Sequence, residues 1–75
     1  MNLYMCDFDK EYEVIKVNMP SNLKAKIYSL GVSPGVKIKK IYKSIFNDPT
    51  AYEVKLTTVA LRNNDAKYIE VKECE

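Results

Sequence analysis

The chain has 75 residues, two cysteines, no histidine and a formal net charge of +2. That length allows one domain with a small core, and so slight a charge gives no ground by itself for binding nucleic acid or a membrane surface. The lack of histidine removes the commonest metal ligand and the commonest general base, no apolar run approaches the roughly 18 residues that cross a bilayer, and Met1–Asp7 has neither the basic nor the apolar region of an export signal.

A cytoplasmic location is expected, where Cys6 and Cys74 stay reduced. Asp9–Val17 predicts a first strand, with Tyr12 and Val14 on one face and Ile15 and Val17 on the other, a pattern that calls for a bulge. Met19-Pro20 breaks it. Ser21 is the expected N-cap of a helix over Asn22–Leu30, in which Leu23, Ile27 and Leu30 form one apolar stripe. About nine residues make a helix that needs tertiary packing, so the stripe is expected on the sheet, with Lys24, Lys26 and Ser29 in solvent.

Leu30-Gly31-Val32-Ser33-Pro34-Gly35 then ends the helix and turns the chain. Gly31 stands where a left-handed C′ residue is needed. Pro34 forbids continuation and Gly35 permits a tight turn. Val36–Ser44 predicts a second strand, with Val36, Ile38 and Tyr42 of one parity and Lys40 interrupting. Asn47-Asp48-Pro49 is a turn. Ala51–Thr57 predicts a third strand with Tyr52, Val54 and Leu56 inward, after which Thr57-Thr58 bends the chain into a short fourth strand, Val59–Leu61. Asn63–Ala66 reads as one helical turn capped by Asn64 or Asp65. Tyr68–Val71 closes the chain with Ile69 and Val71 inward, and Lys72–Glu75 is expected to fray. The sum is a mainly β domain over residues 1–75, core about 9–72. The expected architecture is a small SH3-like barrel of about five to six strands, with one short helix after the first strand and a one-turn helix before the last.

Several of these stretches fall in register with one family. Lys26-Ile27-Tyr28-Ser29-Leu30-Gly31 is followed by Pro34-Gly35 and a strand. Asp48-Pro49, then Val59-Ala60-Leu61-Arg62-Asn63-Asn64-Asp65-Ala66, then Ile69-Glu70-Val71 complete the set. In these the chain resembles the FeoA family, small accessory proteins of bacterial ferrous iron uptake. It departs from that pattern at Lys26 and Ala25, where arginine is common, and at Asp9-Lys10-Glu11 and Thr57-Thr58, where glycine is common. The resemblance implies an SH3-like barrel similar to the C-terminal domain of DtxR-type repressors. It also implies a role in binding or regulating FeoB, the membrane permease with a cytosolic GTPase domain, and a family-level association with transition metals.

The residues give no catalytic constellation. Ser21, Ser29, Ser33 and Ser44 have no histidine partner, and Gly31–Gly35 lacks the Lys-Ser/Thr of a phosphate loop. The chain is expected not to be an enzyme. Cys6, Asp7, Asp9, Glu73, Cys74 and Glu75 are the candidate metal ligands, but their scatter near the termini predicts no tightly bound cofactor and no tight Fe²⁺ site. Lys37, Lys39, Lys40 and Lys43 form a basic strand that a nucleic acid could read; a solvated face paired with carboxylates such as Glu53 is the plainer reading. Four of the six tyrosines, all but Tyr4 and Tyr28, are expected on core faces. The leading reading is a module that docks on the cytosolic part of FeoB, with Lys24, Lys26, Leu30, Gly31, Pro34 and Gly35 as the contact surface. The alternatives are a nucleic-acid-binding barrel and a metal-sensing or peptide-binding barrel.

Overall fold

The structure, a computed structural model, describes residues 1–74. Five strands make one antiparallel sheet: β1 (Glu11–Val17), β2 (Lys37–Lys43), β3 (Thr50–Val54), β4 (Thr57–Leu61) and β5 (Ile69–Glu73), in the order β4-β3-β2-β1-β5. Helix α1 (Ser21–Ser29) follows β1, a one-turn helix α2 (Asn63–Ala66) precedes β5, and a 3₁₀ turn spans Leu3–Met5. The fold is mainly β, as expected. The hydrogen-bonded ladder does not close into a barrel, so β4 and β5 are its two edges.

The bulge expected in β1 falls between Val14 and Lys16, where the β1–β5 register shifts. Its effect is to turn Tyr12, Val14 and Val17 all into the core and leave Ile15 outside. A second shift lies between Lys40 and Tyr42 in β2. Lys40, ahead of the shift, keeps the inward parity of Ile38, whereas Tyr42 beyond it leaves that parity and is 58% exposed. Tyr68 is also exposed, so of the four tyrosines expected inside only Tyr12 and Tyr52 are there.

Helix α1 begins at Ser21 with Pro20 in the cap position and no side-chain cap, so the expected Ser21 N-cap is displaced by one residue. Pro20 still supplies the carbonyl that accepts from Lys24 N–H at 2.8 Å. The helix ends as Gly31 requires. Gly31, at φ +94°, donates to Tyr28 O (2.9 Å) and Val32 N–H reaches Ile27 O (3.4 Å), the paired bonds of a Schellman motif. Val32 and Ile27 are both buried beneath it, which supplies the apolar contact of that motif. Only Ile27 of the expected stripe is buried; Leu23 and Leu30 are 47% and 41% exposed.

The third and fourth strands differ from expectation because the hairpin is tighter. Val54 pairs with Thr57, so Lys55 and Leu56 are a two-residue turn, with φ of 50° and 66°. Leu56 is therefore a turn tip, 95% exposed, rather than an inward residue. At the next junction neither Asn64 nor Asp65 caps α2. Arg62 holds the cap position, and the Asp48 carboxylate accepts from Asn63 N–H at 3.0 Å. The Asn63 side chain adds two bonds, donating to Asn47 O (2.7 Å) and accepting from the Thr50 hydroxyl (2.6 Å). The β2–β3 turn and α2 are thus fastened through one residue.

The termini are more structured than the sequence suggested. Leu3 is fully buried and Cys6 nearly so, extending the core ahead of residue 9. Val71 N–H donates to Met1 O at 2.8 Å, and Asn2 bridges to Glu70, so the first residues lie along the outer edge of β5. Lys72 and Glu73, expected to fray, pair with Glu13 and Tyr12 in the β1–β5 ladder. Glu75 lies outside the described residues.

Candidate functional site

Beside α1 lies a groove of about 340 Å³. Its α1 wall is Leu23, Lys26, Ile27 and Leu30, together with Met19. The opposite wall is Ala60 and Leu61 of β4 with Arg62 and Asp65 at α2. A smaller recess bounded by Pro20, Asn64 and Tyr68 shares Met19, Leu23 and Asp65 and prolongs the groove past the start of α1. The reason for the groove is the α1 stripe itself. Ile27 seats on the core, whereas Leu23 and Leu30 flank it and stay half-open to solvent. Lys26 and Arg62 stand at the rim, and neither forms an ion pair among the described residues.

The six residues expected to act together separate into distinct places. Lys26 and Leu30 line the groove. Lys24 is half-buried on α1 outside it. Gly31 is a packing and turn residue: a Cβ there would touch Val54 Cγ1 at 3.6 Å. Gly35, at φ +91°, donates to Val14 O at 2.8 Å and borders a different hollow that ends at Leu56. Pro34 is exposed in the turn between them. The partner wall, Ala60 to Asp65, was missed from sequence. Its only local signal was the exposed cation Arg62 directly after an apolar strand.

The basic strand is not a continuous stripe. Lys40 is 4% exposed; its amine donates to Tyr4 O at 2.8 Å and lies over the Tyr4 and Phe8 rings, 5.6 and 5.2 Å from their centroids. Burial lowers its pKa below the ordinary lysine value. Two of the others face carboxylates: Lys39 pairs across the sheet with Glu53 and Glu11, and Lys37 Nζ is 3.9 Å from Glu11, whereas Lys43 stands opposite Thr50. Beside Lys40, burial pushes the Cys6 thiol up to about 11, and the Tyr52 hydroxyl, also raised by burial, has no hydrogen-bond partner among the described residues.

No group of three metal-ligating side chains comes together among the described residues. Cys6 and Cys74 are free thiols, Cys6 buried and Cys74 half-buried. Glu73 is engaged by Lys10. No helix is long and apolar enough to cross a membrane.

The family model for the FeoA domain matches residues 1–73, all but the last two of the chain. The chain belongs to the FeoA family. A candidate Fe(2+) transport protein A of Helicobacter pylori is 30% identical over 66 residues, covering 87% of this chain and 85% of that protein. The FeoA protein of Chlorobium tepidum superposes with a TM-score of 0.91 at 23% identity, over 100% of this chain and 71% of that one. Stenotrophomonas maltophilia FeoA, solved with zinc and described as an SH3 domain protein, superposes at 0.80 with 24% identity, covering 96% of this chain and 89% of that one. This FeoA chain is thus SH3-like in fold and belongs to a family related to ferrous iron transport. A manganese-dependent transcriptional repressor has the same fold over 41% of its length, with a TM-score of 0.85 at 17% identity. The likeness to DtxR-type repressors is one of fold alone.

Proposed function

We propose that this FeoA chain is a cytosolic accessory of ferrous iron uptake that docks on the FeoB-type permease through the groove between α1 and the β4–α2 junction. The observation that carries the reading is the groove itself: half-open leucines with an unpaired cation on each wall, Lys26 and Arg62. Apolar surface with a charged rim is the usual anatomy of a protein contact. Lys26 and Leu30 belong to it and Gly31 fixes the end of α1, whereas Lys24, Pro34 and Gly35 lie outside the groove. Ferrous iron is the cargo of the permease in this reading, and the accessory acts by contact rather than by holding metal. The nucleic-acid reading is disfavoured, because Lys40 is buried and Lys37 and Lys39 stand next to Glu11 and Glu53.

The test is an anaerobic titration of the chain against full-length permease from the same genome, with and without GTP and Fe²⁺. Saturable binding that weakens at least tenfold in a folded Lys26→Glu/Arg62→Glu variant is expected. No binding in any nucleotide state, with both proteins folded, overturns the docking role.

A further inference from the structure

The two edges of the sheet are treated differently. On β5 the outer edge is occupied by Met1 and Asn2, and the strand carries Glu70, Lys72 and Glu73. On β4, Thr57-Thr58-Val59-Ala60-Leu61 has no charge and no proline, and its register with β3 runs without a bulge. Charge, proline, bulges and covering segments are the devices that keep strand edges from pairing. The β4 edge has none of them.

The hairpin register fixes which groups are free. Val54 and Thr57 close a two-residue turn, so they exchange both ladder bonds, as do Tyr52 with Val59 and Thr50 with Leu61. Thr58 and Ala60 therefore direct their N–H and C=O groups away from β3. No loop or cap reaches these groups among the described residues. Ala60 also lies on the wall of the groove, across from Leu23 and Leu30.

We propose that the β4 edge accepts an extended segment as a sixth strand, with apolar side chains entering the groove beside α1 and acidic side chains meeting Lys26 and Arg62. The inference rests on the docking reading above and says what kind of segment docks. Charge selects the occupant. Lys26 and Arg62 are unpaired, and Asp65 is the one carboxylate on the groove wall, so the rim favours an acidic chain. A second copy is disfavoured by the same charges: antiparallel pairing centred on Val59 sets Arg62 beside Leu56 and next to Lys55 of the other copy. Backbone bonds supply the grip, and the alternation of side chains supplies the choice.

The test uses the full chain made by chemical synthesis with the Ala60 amide N-methylated, which removes one outward donor and leaves the β3 ladder intact. The unmodified and methylated chains are titrated against full-length permease from the same genome. Amide exchange of Thr58 and Ala60 is followed in the unmodified chain, free and bound. The expected result is at least a tenfold loss of affinity on methylation and slowed exchange at both amides in the complex. Equal affinity of the two chains, with exchange at Thr58 and Ala60 as fast in the complex as in the free chain, overturns strand addition and leaves docking standing. No binding of the unmodified chain overturns both. Slowed exchange that depends on the chain's own concentration, without permease, overturns it in favour of a second copy.

Discussion

Lys40 lies directly across the β2–β3 ladder from Tyr52, and both side chains are buried. An ammonium group is thereby held inside a small core with no carboxylate partner. Its compensation is the Tyr4 carbonyl and the faces of Tyr4 and Phe8. These contacts hold the N-terminal 3₁₀ turn against the sheet. Lys40→Ala removes the bond, the ring contacts and the buried stem together. We expect a loss of about 3 kcal/mol, read from urea denaturation, with the Leu3–Met5 amides losing exchange protection first.

The cluster around Lys40 also sets an alkaline limit. The Cys6 thiol, ordinarily near 9.0, is raised to about 11 by burial. The folded chain therefore holds this proton more tightly than the unfolded chain. Its contribution is fully present below pH 9 and is lost as pH rises through 11. Lys40, lowered from 10.5, acts with the opposite sign: burying its charge is relieved as pH rises toward 10.5. In Cys6→Ala the alkaline fall in stability is shallower, whereas in Lys40→Met it is steeper. Urea midpoints between about pH 8 and pH 11 check both slopes. A buried thiol with a raised pKa is also a poor nucleophile. Iodoacetamide in native buffer should modify Cys74 well before Cys6, as read by mass spectrometry of the peptides.

Asn63 joins α2 to the β2–β3 turn by its backbone N–H and both ends of its amide. Asn63→Ala leaves the buried Thr50 hydroxyl without its acceptor. A cost of about 2 kcal/mol is expected for one unsatisfied buried group plus the lost bond to Asn47. The companion substitution Thr50→Val removes the stranded hydroxyl. The double variant should therefore recover about 1 kcal/mol relative to Asn63→Ala alone, measured by thermal unfolding.

Lys55 and Leu56 hold positive φ in the β3–β4 turn, where asparagine and glycine are the usual occupants. Leu56 is almost fully exposed, so replacing it forfeits no burial. Lys55→Asn/Leu56→Gly should stabilise the chain by about 1 kcal/mol, a rise of roughly 4–8 °C in Tm for a domain of this size. An unchanged or lower Tm would show that Leu56 makes contacts beyond the turn.

Local chemistry made several elements legible. Gly31 announced the end of α1 because few other residues accept its φ, and the paired apolar faces of β1 announced its bulge. The turn at Lys55-Leu56 was hidden, because its residues carry none of the usual turn signals and the tertiary pairing imposes positive φ on them. The inward Lys40 was hidden for a related reason. A lysine in a strand reads as solvent-facing, and only a partner far away in sequence, Tyr4, makes its burial tolerable. The candidate groove was half-legible. Its α1 wall follows from helical spacing, whereas its second wall needs the fold to bring Ala60–Asp65 across from Leu23 and Leu30.

The cover that Met1 and Asn2 lay along β5 at Glu70 and Val71 leaves β4 as the edge with nothing over it among the described residues. A sheet with two open edges is a polymer link, since each added strand exposes the next. With one edge already occupied by its own chain, pairing at β4 is a terminating step. An extension fused ahead of Met1 that pulls these residues off β5 would restore the second edge and turn a chain stopper into a monomer for fibres.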